Sequence, residues 1–241
     1  MATAVLPEVG YAPQKAVAPW RHTAILIAFF VLMAAGGAAL QHRARGRADL
    51  LEHRPDVALL YVSLVAGEWG LVYYVWKGGL RRSGVSLLQL IGGQWTSLRS
   101  VFVDAALAFG LWIVWQGFSF LWVRWSGAGQ ARSISPLLPS GMMEGALWVL
   151  LSISAGISEE IVFRGYLQRQ LTAFTGRASL ALILQAAVFG IAHGYQGVHA
   201  CLSIAIYGAM FTLLALWRKS LRPGIIAHAW TDIAGGLLRL G

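Results

Sequence analysis

The sequence predicts an all-α polytopic membrane protein, with about seven transmembrane helices, one interfacial helix and an active site inside the helical bundle. Three observations predict it. The 241 residues are 57% hydrophobic and only 12% charged, and their mean hydropathy of +0.63 is too apolar for an ordinary soluble domain. The apolar residues gather into runs of about 20, the length a helix needs to cross a hydrocarbon core about 30 Å thick. The few charges inside those runs recur at helical spacing, above all in Ser158-Glu159-Glu160-Ile161-Val162-Phe163-Arg164-Gly165.

The chain divides into a disordered tail over 1–22, N-terminal membrane helices with an interfacial segment over 23–141, and a catalytic helical core over 142–241. The tail, with Pro7, Pro13 and Pro19, has no helical period. Ala24 to Leu40 is the first apolar run. The basic His42-Arg43-Ala44-Arg45 that follows it favours a retained helix over a cleaved signal peptide. Val57 to Trp76 is the second, and its Glu68 reads either as a paired core carboxylate or as a further polar element of a site. In Leu80 to Leu98 apolar residues alternate with Arg81, Arg82, Gln89 and Gln94, the pattern of a segment lying along the membrane. Val101 to Val123 is the third span, with tryptophans suited to the headgroup belt and Asp104 read as interfacial. Arg124 to Ser140 is a loop. Met142 to Leu171, about 45 Å of helix, exceeds the hydrocarbon core, so its amphipathic end, Tyr166 to Leu171, is expected to emerge. Ala178 to Tyr195, His199 to Trp217 and Leu221 to Leu238 complete the set.

The formal charge is +9, but Lys and Arg fall between apolar runs rather than along one stripe. They mark loops facing anionic lipid, no nucleic acid is expected as a partner, and their distribution places the N-terminal tail in the cytoplasm. The single cysteine, Cys201, excludes intramolecular disulfides and reads as a small core residue.

A charge at the bilayer centre costs roughly 2.5 to 3.5 kcal/mol on insertion scales, so intramembrane charges mark function by default. Glu160 and Arg164, at i and i+4, share a helical face and can pair, whereas Glu159 points about 100° away, free for chemistry. His193 follows Phe189 on the fifth run, and His228 and Asp232 are i and i+4 on the seventh. At 1.5 Å per residue, Glu159 and His193 lie about 18 and about 22 Å from the same side. Gly190 and Gly194 permit close packing beside them. Glu with His, without a nucleophilic Ser or Cys in the same cluster, points to activated water rather than a covalent intermediate.

Glu159-Glu160-xxx-Arg164, Phe189-xxx-His193 and His228-xxx-Asp232, in that order and each on an apolar helix, resemble the three motifs of the CAAX-protease and bacteriocin-processing (CPBP) family. That family of intramembrane endopeptidases includes the Ras-converting CAAX endoprotease and lysostaphin-resistance-like proteins. The likeness covers Ala146 to Leu238, and Asp232 stands where the eukaryotic enzymes carry Asn. The resemblance implies that Glu159 activates water with His193 as its partner, that His228 and Asp232 form the oxyanion side, and that Glu160, Arg164 and Phe189 support the site. It implies a membrane-anchored protein or peptide substrate within the lipid bilayer, and an integral protein of the bacterial inner membrane.

Metal-free glutamate catalysis is the expectation. Glu159, His193 and His228 are also a His₂Glu set of the kind zinc proteases use, and the family is often labelled metalloprotease. Two other readings stand beside these. One is an immunity or scaffold protein that binds through the same polar core without cutting. The other is a carrier with a proton relay, which predicts internal repeat symmetry that the sequence does not display.

Overall fold

The computed structural model describes residues 15–44, 56–127 and 135–238, the side chains of residues 41–44 excepted. Residues 1–14 of the expected tail, much of the basic first loop and part of the loop after Arg124 lie outside that set. Among the described residues every regular element is helical, as expected. The elements are α1 (Trp20–Ala44), α2 (Val57–Val75, prolonged by a π-helical turn Trp76–Leu80), α3 (Leu87–Ile91), α4 (Leu98–Ser126), α5, α6 (Ala178–Ala192), α7 (Val198–Arg218) and α8. Helix α5 runs Met142–Glu159, continues as π-helix over Glu160–Leu167 and ends with Gln168–Thr175. Helix α8 is Arg222–Ile233 followed by a π-helical turn Ala234–Leu238.

Sequence chemistry sets the boundaries. Asp56 and Ser97 cap the first turns of α2 and α4 through their side chains, and Ser86 with Gln89 forms a capping box for α3. Among the described residues, five helices are long and apolar enough to cross a membrane: Trp20–Leu40, Val57–Leu80, Leu98–Ser126, Met142–Thr175 and Val198–Arg218. The other two expected spans are shorter. Helix α6 has 15 residues because the chain turns at His193, and α8 is diluted by Arg222, His228, Thr231 and Asp232.

Helix α5 is the centre of the bundle: 56% of its apolar window is buried, against 39% in α7 and 22% or less in α1, α2 and α4. It packs against α2 and α8, α8 against α4, and α6 against α1 and α7. A Cβ added at Gly156 would lie 2.9 Å from the Ile225 carbonyl oxygen, so α5 and α8 meet backbone to backbone. The predicted close packing at Gly190 is present, since a Cβ there would fall on the carbonyl oxygen of Cys201 in α7. Gly194 instead faces α1, at 3.0 Å from Ala34 Cβ.

Two expectations are corrected, the emerging end of α5 and the disorder of the last part of the tail. Tyr166 to Leu171 does not emerge as an amphipathic end, because Tyr166, Leu167 and Gln170 are fully buried. What covers it is the end of the supposedly disordered tail. Val17 and Ala18 donate their backbone N–H groups to Gln170 Oε1 at 2.6 and 3.2 Å, while Gln170 Nε2 donates to the Ala18 carbonyl at 2.9 Å and to Thr23 Oγ1 at 2.8 Å. Asp104, near the start of α4, is fully buried in the protein, in ion pairs with Arg218 and Arg222. The segment after α2 is held by more than an apolar face on lipid: Leu90 is buried, and the Ile91 carbonyl accepts from Leu221 N and Ser220 Oγ, both at 2.9 Å.

Candidate active site

The site is built where the π-helical segment of α5 faces α8. All eight residues of Glu160–Leu167 are buried, and π turns inside α-helices frequently occur at functional sites. Within the segment, Arg164 Nη1 reaches Glu160 Oε1 at 3.0 Å with both side chains fully inaccessible. The expected i, i+4 pair therefore forms. A buried guanidinium needs more than one partner. Arg164 Nη2 donates to the Gly208 carbonyl at 3.2 Å, and the guanidinium carbon lies 4.2 Å from the Phe189 ring centre and 5.2 Å from that of Phe211.

Glu160 reaches across to α8 as well, with His228 Nδ1 3.2 Å from its Oε1. A carboxylate held by a guanidinium accepts, so Nδ1 is the donor, and Nε2 is turned to the other side of the ring. There it meets Glu159 Oε2 at 3.6 Å and Asp232 Oδ2 at 3.7 Å. The side chains of Glu159 and Asp232 are 24% and 35% exposed, so these two carboxylates are open to a ligand while Glu160 is sealed behind them. Glu159 lacks a partner on its own helix, as its position predicts; its partner comes from α8.

His193 caps α6. Its Nδ1 lies 2.9 Å from the Phe189 carbonyl oxygen, which has no proton to give, so Nδ1 donates and Nε2 is left as the acceptor of the neutral ring. Among the described residues no hydrogen bond or ion pair joins His193 to Glu159, His228 or Asp232. The Phe189 ring lies between the two histidines, with ring centres 5.0 Å from His193 and 6.3 Å from His228. Phe189 thus touches Arg164, His193 and His228 at once.

The structure adds residues that sequence reasoning left open or missed. Ser154 Oγ, on α5, donates to Glu68 Oε2 at 2.5 Å. Glu68 stands within electrostatic reach of Glu159, Asp232 and His228, so it is a polar element of this site. Its signal was its isolation as the only charge in an apolar run. Tyr195, within reach of Glu159 and Asp232, and the Tyr207–Thr231 hydrogen bond at 2.7 Å beside His228 gave none, since Tyr and Thr are ordinary in membrane helices.

Among the described residues no three His, Cys, Asp or Glu side chains are grouped to hold a metal. The Nδ1 atoms of both histidines are engaged with Phe189 and Glu160, which leaves their Nε2 atoms as the ring nitrogens that can serve a ligand.

No curated protein and no solved structure matches the chain. The model of the family described as type II CAAX prenyl endopeptidase Rce1-like matches residues 141–234, the stretch that carries Glu159, Glu160, Arg164, Phe189, His193, His228 and Asp232. That stretch is under half of the chain, and over it the chain is similar to type II CAAX prenyl endopeptidase Rce1-like proteins.

Proposed function

We propose that the protein hydrolyses a peptide bond near the C-terminal or transmembrane segment of a membrane-anchored substrate, through a water activated by Glu159 and without a metal ion, in a bacterial inner membrane. The observation that carries this reading is the pair of gaps at His228 Nε2. Separations of 3.6 and 3.7 Å to two partly open carboxylates are too long for direct hydrogen bonds and too short for a water between the atoms, so a water held by this group sits beside them, at the open edges of the carboxylates. Glu159 takes a proton from that water as its oxygen attacks the carbonyl carbon, and gives it to the departing amine. His193, with Nδ1 committed to Phe189, offers Nε2 as an acceptor that orients the water. His228, with carboxylate oxygens at both ring nitrogens, is placed to donate to the developing oxyanion, and Asp232 holds the ring in register. Glu160 and Arg164 position His228 and do not touch the substrate.

The test is cleavage of candidate host membrane proteins by purified protein, with products identified by mass. Glu159→Ala and His193→Ala should each lose about 10²-fold or more of the rate, and a strong chelator should leave the wild type unaffected. Wild-type rates in Glu159→Ala would overturn the assignment, and chelator loss restored by zinc would replace it with metal catalysis. A wild type that cuts nothing, while Glu159→Ala abolishes a host immunity phenotype, would make the core a binding site.

A further inference from the structure

At the opposite end of α8 from the π turn, Asp104 of α4 accepts from Arg218 Nε and Trp95 Nε1, both at 2.9 Å, and is ion-paired with Arg222, whose Nε lies 2.9 Å from Oδ2. One carboxylate against two guanidinium groups leaves a positive charge over. No other acid occurs in residues 77–123 or 198–222, which also carry Lys77, Arg81, Arg82, Arg99 and Lys219. Arg99, exposed on the first turn of α4, has no ion-pair partner among the described residues. This end of the bundle carries uncompensated positive charge where α4 and α7 meet the headgroup layer.

A groove of about 580 Å³ opens there between the first turns of α4 and the last turn of α7. Its lining is graded. Arg99, Ser100 and Arg218 stand at the helix ends, while Val103 and Leu107 continue down successive turns of α4. Leu107 lies about 12 Å further along the helix than Arg99. Trp217, 71% exposed beside Arg218, has the placement of an interfacial tryptophan. A cationic end joined to an apolar trough has the polarity of a phospholipid. A soluble phosphate ester would use only half of it.

We propose that this groove is a binding site for an anionic glycerophospholipid, its phosphate between Arg99 and Arg218 and an acyl chain along Val103 and Leu107. The site is separate from the Glu159 cluster and holds whether or not that cluster cuts peptides. The test is native mass spectrometry of the full chain in detergent, titrated with dioleoyl phosphatidylglycerol, dioleoyl phosphatidylcholine or glycerol 3-phosphate. Phosphatidylglycerol should be retained over phosphatidylcholine, Arg99→Gln should lower its retention about fivefold, the loss of one cation near the phosphate, and excess glycerol 3-phosphate should not displace it. Leu107→Ser, on the apolar flank, should weaken the lipid as well. Equal retention of the two lipids, or unchanged retention in both variants, would overturn the site. Displacement by glycerol 3-phosphate at equal concentration would make it a site for soluble phosphate esters and overturn the lipid assignment.

Discussion

Glu160 and Glu159 are neighbours in sequence with opposite obligations. Glu160 is sealed and holds both Arg164 and His228, so Glu160→Gln strands a buried guanidinium. Breaking a buried pair from one side costs about 3 to 5 kcal/mol, and a clear fall in melting temperature in detergent is expected, together with loss of cleavage. Glu159→Gln should lose cleavage at nearly unchanged melting temperature, because Glu159 is partly open and only ion-paired at 3.6 Å. An unchanged melting temperature for Glu160→Gln would sink the division of labour. The division was legible in the sequence, since the i, i+4 spacing to Arg164 singles out one carboxylate of the two. The His228 contact was not, because pairing between helices depends on which faces meet. Asp104 illustrates the same limit: its position along α4 is near a helix end, yet the face it occupies is covered by Arg218 and Arg222.

The helices reproduce the expected apolar runs best where an element is long and uninterrupted, as in α1, α2 and α4. They depart from expectation where function intrudes. Helix α6 stops at His193, whose ring is tied back to Phe189, and α8 holds too many polar side chains to be apolar along its length. Neither departure follows from periodicity, which reads faces and not the partner that covers them. The close approach of α6 and α7 gives a sharp test. Gly190→Val would drive its side chain into the Cys201 carbonyl and Ala205, and overpacking of this kind costs about 1 to 3 kcal/mol. Gly70→Ala in α2, with open space around the added Cβ, should leave stability unchanged or raise it. Equal melting temperatures for the two variants would show that α6 and α7 are not in contact as described.

Taken as a whole, the molecule has two unlike ends. The Asp104–Arg218–Arg222 network ties the start of α4 to the end of α7 and the start of α8, and Lys77, Arg81, Arg82 and Arg99 belong to the same end. The excess of Lys and Arg predicts that this end faces the cytoplasm. In a Cys201→Ser background, an impermeant maleimide applied to intact cells should label Met142→Cys, at the exposed start of α5, and leave Lys219→Cys unlabelled until the cells are opened. The reverse pattern would invert the topology.

The Gln170 clamp carries a consequence for biogenesis. Its bonds to Val17 and Ala18 join residues 153 and 152 apart, so these two residues leave the ribosome well before their partner and lack this seat until the far end of α5 has been synthesised. Until then that end of α1 can be held by α2, whose Tyr74 hydroxyl donates to the His22 carbonyl at 3.0 Å, but Val17 and Ala18 lack their partner. The seam joins stretches translated 153 and 152 residues apart, which ties the order of synthesis to the order in which the core is sealed.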